Sequence, residues 1–189
     1  MVVNNIAVFC GSNLGSDPSL RDEILKLGKE MAERRISLVY GGGHRGLMGE
    51  ISEFIRNNGS RTIGVSPKRF YKDGDENYSD EFYLVDTMHE RKALMYKKAD
   101  AFVVFPGGIG TMDEFCEIST WYQIGFSGKP VVVYDYKGFF EGFRIQLERM
   151  LDEGFIKQSF MDFLYFTDDM STIFPYLDSF EYVKGKWER

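Results

Sequence analysis

Short apolar runs alternate with amphipathic stretches along almost the whole chain. The runs that predict buried strands are Ile6–Cys10, Ser37–Tyr40, Thr62–Val65, Ala101–Phe105 and Val131–Tyr134, with a last one at Phe163–Phe166. Glycine or proline follows most of them within two residues. Strands that are apolar on consecutive positions are typical of a parallel sheet that helices cover on both faces.

Between these runs, apolar residues recur at the three- and four-residue spacing of amphipathic helices. Leu20, Ile24, Leu27 and Met31 mark the first helix. Others are predicted near residues 47–55, 88–98, 111–124 and 138–152, with a short one at the end of the chain. Residues 67–85 are polar, aromatic and irregular, so we expect a long loop there, over a binding site. This alternation predicts an α/β fold: a doubly wound, Rossmann-like parallel sheet in a single domain of 189 residues.

The helix predicted over residues 111–124 is apolar on nearly every side. Phe115 and Tyr122 lie on one side, whereas Ile118, Trp121 and Ile124 spread onto others. Such a helix is either buried deeply or covered by another subunit. We favour a homodimer, and a large monomeric core is the alternative.

Composition and charge narrow the classes of protein that fit. The chain has 23 basic and 29 acidic residues and a net charge of -6, which argues against a nucleic-acid binder. No apolar run approaches the roughly 18 residues of a membrane span. The start lacks the basic region of a signal peptide, and Cys10 and Cys116 form no disulfide framework, so we expect a cytoplasmic protein with reduced thiols. The two histidines and two cysteines do not have zinc-ligand spacing, and we expect no metal and no cofactor.

Three glycine-rich segments follow predicted strands: Gly11–Asn13, Gly41–Gly46 and Pro106–Thr111. The carboxyl ends of parallel strands lie at one edge of a sheet, which is where such folds bind ligands. Glycine lets the backbone approach a ligand, and helix N-termini offer free amides to an anion. Tight turns also need glycine, but three such segments together favour a phosphorylated ligand. Gly41, Gly43 and Gly46 fit GxGxxG, yet no acid follows the next strand, which disfavours a dinucleotide.

Two predicted helix starts carry the pattern Thr-x-x-Glu, at Thr87–Glu90 and at Thr111–Glu114. This is the pattern of a capping box, in which the glutamate serves only its own helix. Glu114, however, directly follows a glycine-rich segment and lies within reach of whatever that segment binds. Arg91 and Lys92 oppose the helix dipole, so an anionic ligand or a buried acid would offset their cost. The alternative is a solvated Arg91.

Three segments together resemble one family. PGGIGTMDE at residues 106–114, GGGHRGLMG at residues 41–49 and MHERK at residues 88–92 are similar to signatures of the LONELY GUY (LOG) family. The resemblance extends in order over nearly the whole chain. Members are cytokinin riboside 5′-monophosphate phosphoribohydrolases, often labelled "possible lysine decarboxylase". The resemblance implies a homodimer that hydrolyses the N-glycosidic bond of nucleoside 5′-monophosphates, such as AMP or N6-prenyl-AMP, to a free base and ribose 5-phosphate.

The resemblance also implies roles for particular residues. Arg91 and Glu114 would be the catalytic pair. The residues implied to bind substrate are Gly42, Gly43, Lys92, Gly107, Gly108, Ile109, Gly110, Thr111, Met112, Asp113 and Thr120. The chain departs from the family at Ile109, commonly tyrosine, and at Asp113, commonly glutamate. The family's ligand-binding acid in the loop matching residues 67–85 has two candidates here, Asp73 and Asp75.

Two other functions compete with this one. A lysine decarboxylase would need a Schiff-base lysine and an acid for the pyridoxal ring, and no motif supplies that set. A non-catalytic nucleotide sensor or carrier on the same fold is the main alternative. Arg91 and Glu114 favour the enzyme, because binding alone does not need that acid.

Overall fold

Seven parallel strands form one sheet in residues 2–181, the part of the chain that the computed structural model describes. The strands are β1 (Asn5–Phe9), β2 (Ser37–Tyr40), β3 (Thr62–Pro67), β4 (Glu81–Val85), β5 (Ala101–Val104), β6 (Val131–Tyr134) and β7 (Leu164–Thr167). Their order is β4-β3-β2-β1-β5-β6-β7. The chain runs outward from β1 to β4 and then crosses to β5, on the other side of β1. The direction reverses between β1 and β5, and the predicted doubly wound fold is confirmed.

Helices cover both faces of the sheet. They are α1 (Ser19–Glu33), α2 (Gly46–Asn57), α3 (Met88–Lys98), α4 (Ile109–Gln123), α5 (Glu141–Asp152), α6 (Gln158–Phe163) and α7 (Ile173–Ser179). Ile6 and Val8 of β1 pack in the core with α1, α2 and α7, whereas Ala7 and Phe9 pack in the core with α3 to α6. Both faces of β1 are therefore buried, which explains its uninterrupted apolar sequence.

Three elements differ from the sequence prediction. Strand β4 lies inside the predicted loop and pairs with β3 at the edge of the sheet. Residues 82–85 of β4 are apolar or aromatic on consecutive positions, but the prediction assigned them to the loop because polar residues directly precede them. As an edge strand, β4 has no fully buried residue. The short helix α6 was not predicted. Helix α4 begins at Ile109, two residues earlier than expected.

The predicted single domain covers the whole chain, of which Met1 and residues 182–189 lie outside the described part. Within residues 2–181, no helix has the length and apolar character that a membrane span requires.

Candidate active site

A cavity of about 750 Å³ opens at the carboxyl edge of the sheet. The loops after β1, β2 and β3 and the first turns of α3 and α4 form its wall. The residues that line it are Ser12, Asn13, Gly41, Gly42, Gly43, His44, Arg45, Met48, Ser66, Pro67, Phe70, Lys72, Asp75, Met88, Arg91 and Gly110. A smaller cavity of about 190 Å³ lies at the point where strand order reverses, between the loops after β1 and β5. The site therefore lies where the topology predicts it.

Arg91 and Glu114 form a buried ion pair beside this cavity. Arg91 Nη1 lies 2.5 Å from Glu114 Oε1, and the two side chains are 12% and 10% exposed. Arg91 Nε also donates to the carbonyl oxygen of Val65, at 3.2 Å. The Arg91 guanidinium is thus held by the backbone of β3 and by Glu114 of α4. The structure favours the buried-acid alternative over a solvated Arg91.

Gly41 makes room for this arginine. A Cβ placed on Gly41 would overlap Arg91 Nη2 and lie 3.1 Å from Met48 Sδ. No side chain fits there unless the guanidinium moves. The first glycine of the Gly41–Gly46 segment is therefore explained by Arg91, and no ligand is needed to account for it.

The surroundings of Glu114 raise its pKa above the ordinary carboxyl value. Burial raises the pKa of Glu114, and the positive charge of Arg91 opposes that shift. The buried Cys10, at the end of β1, is close enough for Glu114 to raise the pKa of its thiol in addition to the effect of burial. A carboxyl group whose pKa moves towards neutral can both hold and release a proton, which suits acid–base work.

Helix α4 begins without a side-chain cap. Gly108 is its N-cap residue, and the first bond within the helix runs from the Met112 amide to the Gly108 carbonyl oxygen, at 3.1 Å. The amides of the first turn precede that bond. A Cβ on Gly108 or Gly110 would meet nothing within 4 Å, so this turn faces open space. An exposed turn of this kind can receive an anion.

The capping-box alternative for Thr111 and Glu114 does not hold, because both residues already lie inside the helix and no side chain caps it. The one predicted for Thr87 and Glu90 is confirmed. The Glu90 amide donates to Thr87 Oγ1 at 3.1 Å, and the Thr87 amide donates to Glu90 Oε2 at 3.3 Å.

The remaining residues that were predicted to bind substrate divide into two groups. Gly42, Gly43 and Gly110 line the larger cavity, and Gly107 and Gly108 line the smaller one. Ile109, beside them, is 85% exposed. These backbone-rich positions are brought together, as the sequence predicted.

The second group lines neither cavity. Lys92 Nζ lies 3.1 Å from Asp113 and 3.0 Å from Glu117, so it ties α3 to α4. The Thr120 hydroxyl donates to the Cys116 carbonyl oxygen at 2.7 Å. Thr111 is buried against Gly107, and Met112 packs on the core.

Several lining residues were not predicted individually, although each lies in a segment that the sequence singled out. They are His44, Arg45, Met48, Phe70, Lys72 and Met88, which the convergence of the loops brings into the wall. Of the two candidate acids, Asp75 lines the cavity and Asp73 does not. The Asp75 carboxylate accepts from the Lys72 amide at 2.9 Å.

These features define an α/β protein of the nucleotide-binding type, with its site at the carboxyl edge of a doubly wound sheet. A family model described as "Possible lysine decarboxylase" matches residues 48–177. Cytokinin riboside 5′-monophosphate phosphoribohydrolase LOG7 of Arabidopsis thaliana is 42% identical over 152 residues, 80% of this chain and 70% of that protein. A probable enzyme of the same name from Oryza sativa subsp. japonica, LOGL9, is 42% identical over 155 residues, 82% of this chain and 68% of that protein. The chain belongs to the LOG family.

Solved structures of lower identity share the fold. The molybdenum cofactor binding protein of Rippkaea orientalis superposes with a TM-score of 0.70 at 18% identity, over 95% of this chain and 98% of that one. The molybdenum cofactor carrier protein of Chlamydomonas reinhardtii gives a TM-score of 0.69 at 20% identity, over 92% and 95% of the two chains. At this identity the likeness concerns the fold alone.

Proposed function

We propose that this protein hydrolyses the N-glycosidic bond of nucleoside 5′-monophosphates, releasing the free base and ribose 5-phosphate. The observation that carries the proposal is the buried Arg91–Glu114 pair beside a cavity that also meets the open first turn of α4. The names of the curated relatives support the same reaction. The chain is an enzyme of this family, and the decarboxylase description of its family model is a misnomer.

The first turn of α4 is the proposed phosphate site. The amides of Ile109, Gly110 and Thr111 precede the first helical hydrogen bond, and the turn is open around Gly108 and Gly110. No acidic residue lies in that turn, so nothing there repels an anion. Lys92, Met112 and Asp113 then serve the site through the packing of α3 and α4.

Glu114 and Arg91 are the proposed catalytic pair. Breaking the bond to the base builds positive charge on the ribose, by analogy with O-glycoside hydrolysis. The Glu114 carboxylate stabilises that charge and accepts a proton from the attacking water. The water oxygen bonds to C1′, and the electrons of the broken bond go to the base nitrogen. The proton that Glu114 accepted from water passes to the departing base, and Glu114 returns to the carboxylate. Arg91 positions Glu114 and the ribose oxygens with its rigid guanidinium.

The base end of the nucleotide points to the opposite wall in this proposal. A carboxylate accepts hydrogen bonds and repels phosphate. Asp75 therefore suits the base, whose exocyclic amino group is a donor. Met48, Phe70 and Met88 line the same cavity and offer apolar surface to a planar ring.

The direct test is to incubate the protein with AMP and with N6-prenyl-AMP and to quantify free base by chromatography. Base and ribose 5-phosphate should form in equal amounts. The ratio of kcat/KM for the two nucleotides gives the base preference. Saturable binding with no base released would contradict the proposal and identify a sensor or carrier.

We also infer that two copies of the chain associate. Ile124 is 56% and Phe126 43% exposed, and Trp121 beside them is half-buried, so the end of α4 offers apolar surface to a partner. Sedimentation equilibrium should give twice the chain mass, and Ile124→Glu should shift it towards the monomer. A wild-type monomer would contradict this inference.

The free thiols of Cys10 and Cys116 support a reducing compartment such as the cytoplasm.

A further inference from the structure

The segment between β3 and β4 forms one wall of the cavity and is held by hydrogen bonds and ring contacts. Its residues Phe70, Lys72 and Asp75 line the cavity. No residue from 68 to 80 is buried, so packing in the core contributes little to its position. The place of Asp75 in the wall therefore depends on particular side-chain contacts.

Three side chains of the β2–α2 unit hold the single turn Asp75–Tyr78. The Tyr40 hydroxyl donates to the Tyr78 carbonyl oxygen at 3.0 Å, and Arg56 Nη1 donates to the Asn77 carbonyl oxygen at 2.8 Å. The third side chain is His44. Its ring stacks on Tyr78, with centroids 4.5 Å apart and planes at 19°.

His44 differs from the other two because it also lines the cavity and approaches Asp75 itself. His44 Nδ1 lies 3.6 Å from Asp75 Oδ1, while Asp75 Oδ2 accepts from the Lys72 amide at 2.9 Å. One carboxylate oxygen is thus held by the backbone of its own segment, and the other faces the imidazole. The Asp75 side chain is only 15% exposed, so it has little freedom to turn away.

We propose that His44 is a positioning residue, which fixes Asp75 and the turn Asp75–Tyr78 against the cavity and thereby sets the affinity for the base end of the nucleotide. This inference rests on the proposed function. It assigns a role to one of the two positions that the GGGxxGLMG signature leaves variable. Because His44 acts on binding and lies away from the Arg91–Glu114 pair, its loss should change KM much more than kcat.

The test compares steady-state kinetics with AMP for wild type, His44→Ala, Asp75→Asn and the double variant. His44→Ala removes a ring stack, which typically changes an equilibrium constant by up to about tenfold, and also the imidazole that faces Asp75. His44→Ala should raise KM about tenfold and leave kcat within about twofold. The double variant should be no worse than Asp75→Asn, because the two residues act as one unit. His89→Ala, at an exposed histidine outside the cavity, is the matched control and should behave as wild type.

Two results would overturn the proposal: a wild-type KM in His44→Ala, or a double variant whose loss equals the product of the single losses. The dissociation constant for AMP, measured by calorimetry, separates this inference from the proposed function. If wild type binds AMP without cleaving it, the proposed function fails, and a tenfold weaker binding by His44→Ala still supports the positioning role. If wild type neither binds nor cleaves AMP, both fail.

Discussion

Helices α3 and α4 carry the same four-residue pattern, Thr-x-x-Glu, and use it in opposite ways. In α3 the pattern sits at the helix start, and Glu90 folds back onto the amide of Thr87. In α4 the helix has already begun at Ile109, and Glu114 reaches across to Arg91 of the neighbouring helix. One glutamate completes its own helix, and the other meets a charge from elsewhere in the fold.

The difference shows what decides the role of a local pattern. Gly108 starts α4 three residues before Thr111, which leaves the first turn uncapped and frees Glu114 from capping. The buried guanidinium of Arg91 then supplies a partner that no neighbour of Glu114 in the sequence could supply. An unpaired buried charge costs several kcal/mol, on the order of 3–5, whereas a cap is worth about 1 kcal/mol. Pairing Glu114 with Arg91 therefore outweighs capping α4.

The largest expected effect is a difference in catalytic activity between variants of Glu114 and of Glu90. Glu114→Gln should fold and lose about 10²-fold or more in kcat, because an essential acid–base group is removed. Glu90→Gln should keep kcat within about twofold, since glutamine also serves in capping boxes. Base release from AMP measures both. Equal activity of the two variants would mean that Glu114 is not catalytic.

A smaller effect is expected from the residue that makes room for Arg91. Gly41→Ala places a methyl group on the guanidinium, and displacement by about 1 Å can cost on the order of 10²-fold in kcat/KM. Gly142→Ala is the control, because its Cβ would meet nothing within 4 Å and a helical alanine is favoured by about 0.5–1 kcal/mol. The account is wrong about Gly41 if both variants retain wild-type kcat/KM.

The capping role of α3 predicts a change in stability. Thr87→Ala should lower the free energy of unfolding by about 1 kcal/mol, or the Tm by about 2–4 °C. Thr87→Ser keeps the hydroxyl and should be close to wild type. Thermal unfolding followed by circular dichroism measures both. A Tm unchanged in Thr87→Ala would show that this capping box contributes nothing to stability.

The smallest effect is a pH dependence that belongs to Glu114. Its pKa is raised in the folded state, so its contribution to stability is present at low pH and is lost as pH rises through the folded pKa. Glu114→Gln lacks this loss. The Tm of the variant minus that of wild type should therefore grow as pH rises above the ordinary carboxyl pKa of 4.5, by about 2–4 °C for each kcal/mol. A constant difference would contradict the raised pKa.

The inner strands and the glycine-rich edge could be predicted from sequence, because both are local signals. Ala101–Phe105 is apolar on consecutive positions, and Pro106 follows at once. Strand β4 was not predicted, because its short run at residues 82–85 directly follows the polar part of the loop and was assigned to that loop. For Arg91, the sequence left open whether its partner is an anionic ligand or a buried acid. Local patterns could not decide this, because Arg91 and Glu114 lie 23 positions apart in the chain. The resemblance assigned Lys92 to the nucleotide. In the structure Lys92 pairs with Asp113 and Glu117, a contact that depends on how α3 packs on α4.

The most direct test of the central claim is the crystal structure of Glu114→Gln with AMP. We expect the phosphate at the amides of Gly110 and Thr111, the ribose C1′ beside residue 114 and Arg91, and the base towards Asp75. A phosphate bound elsewhere, or a ribose turned away from residue 114, would contradict it.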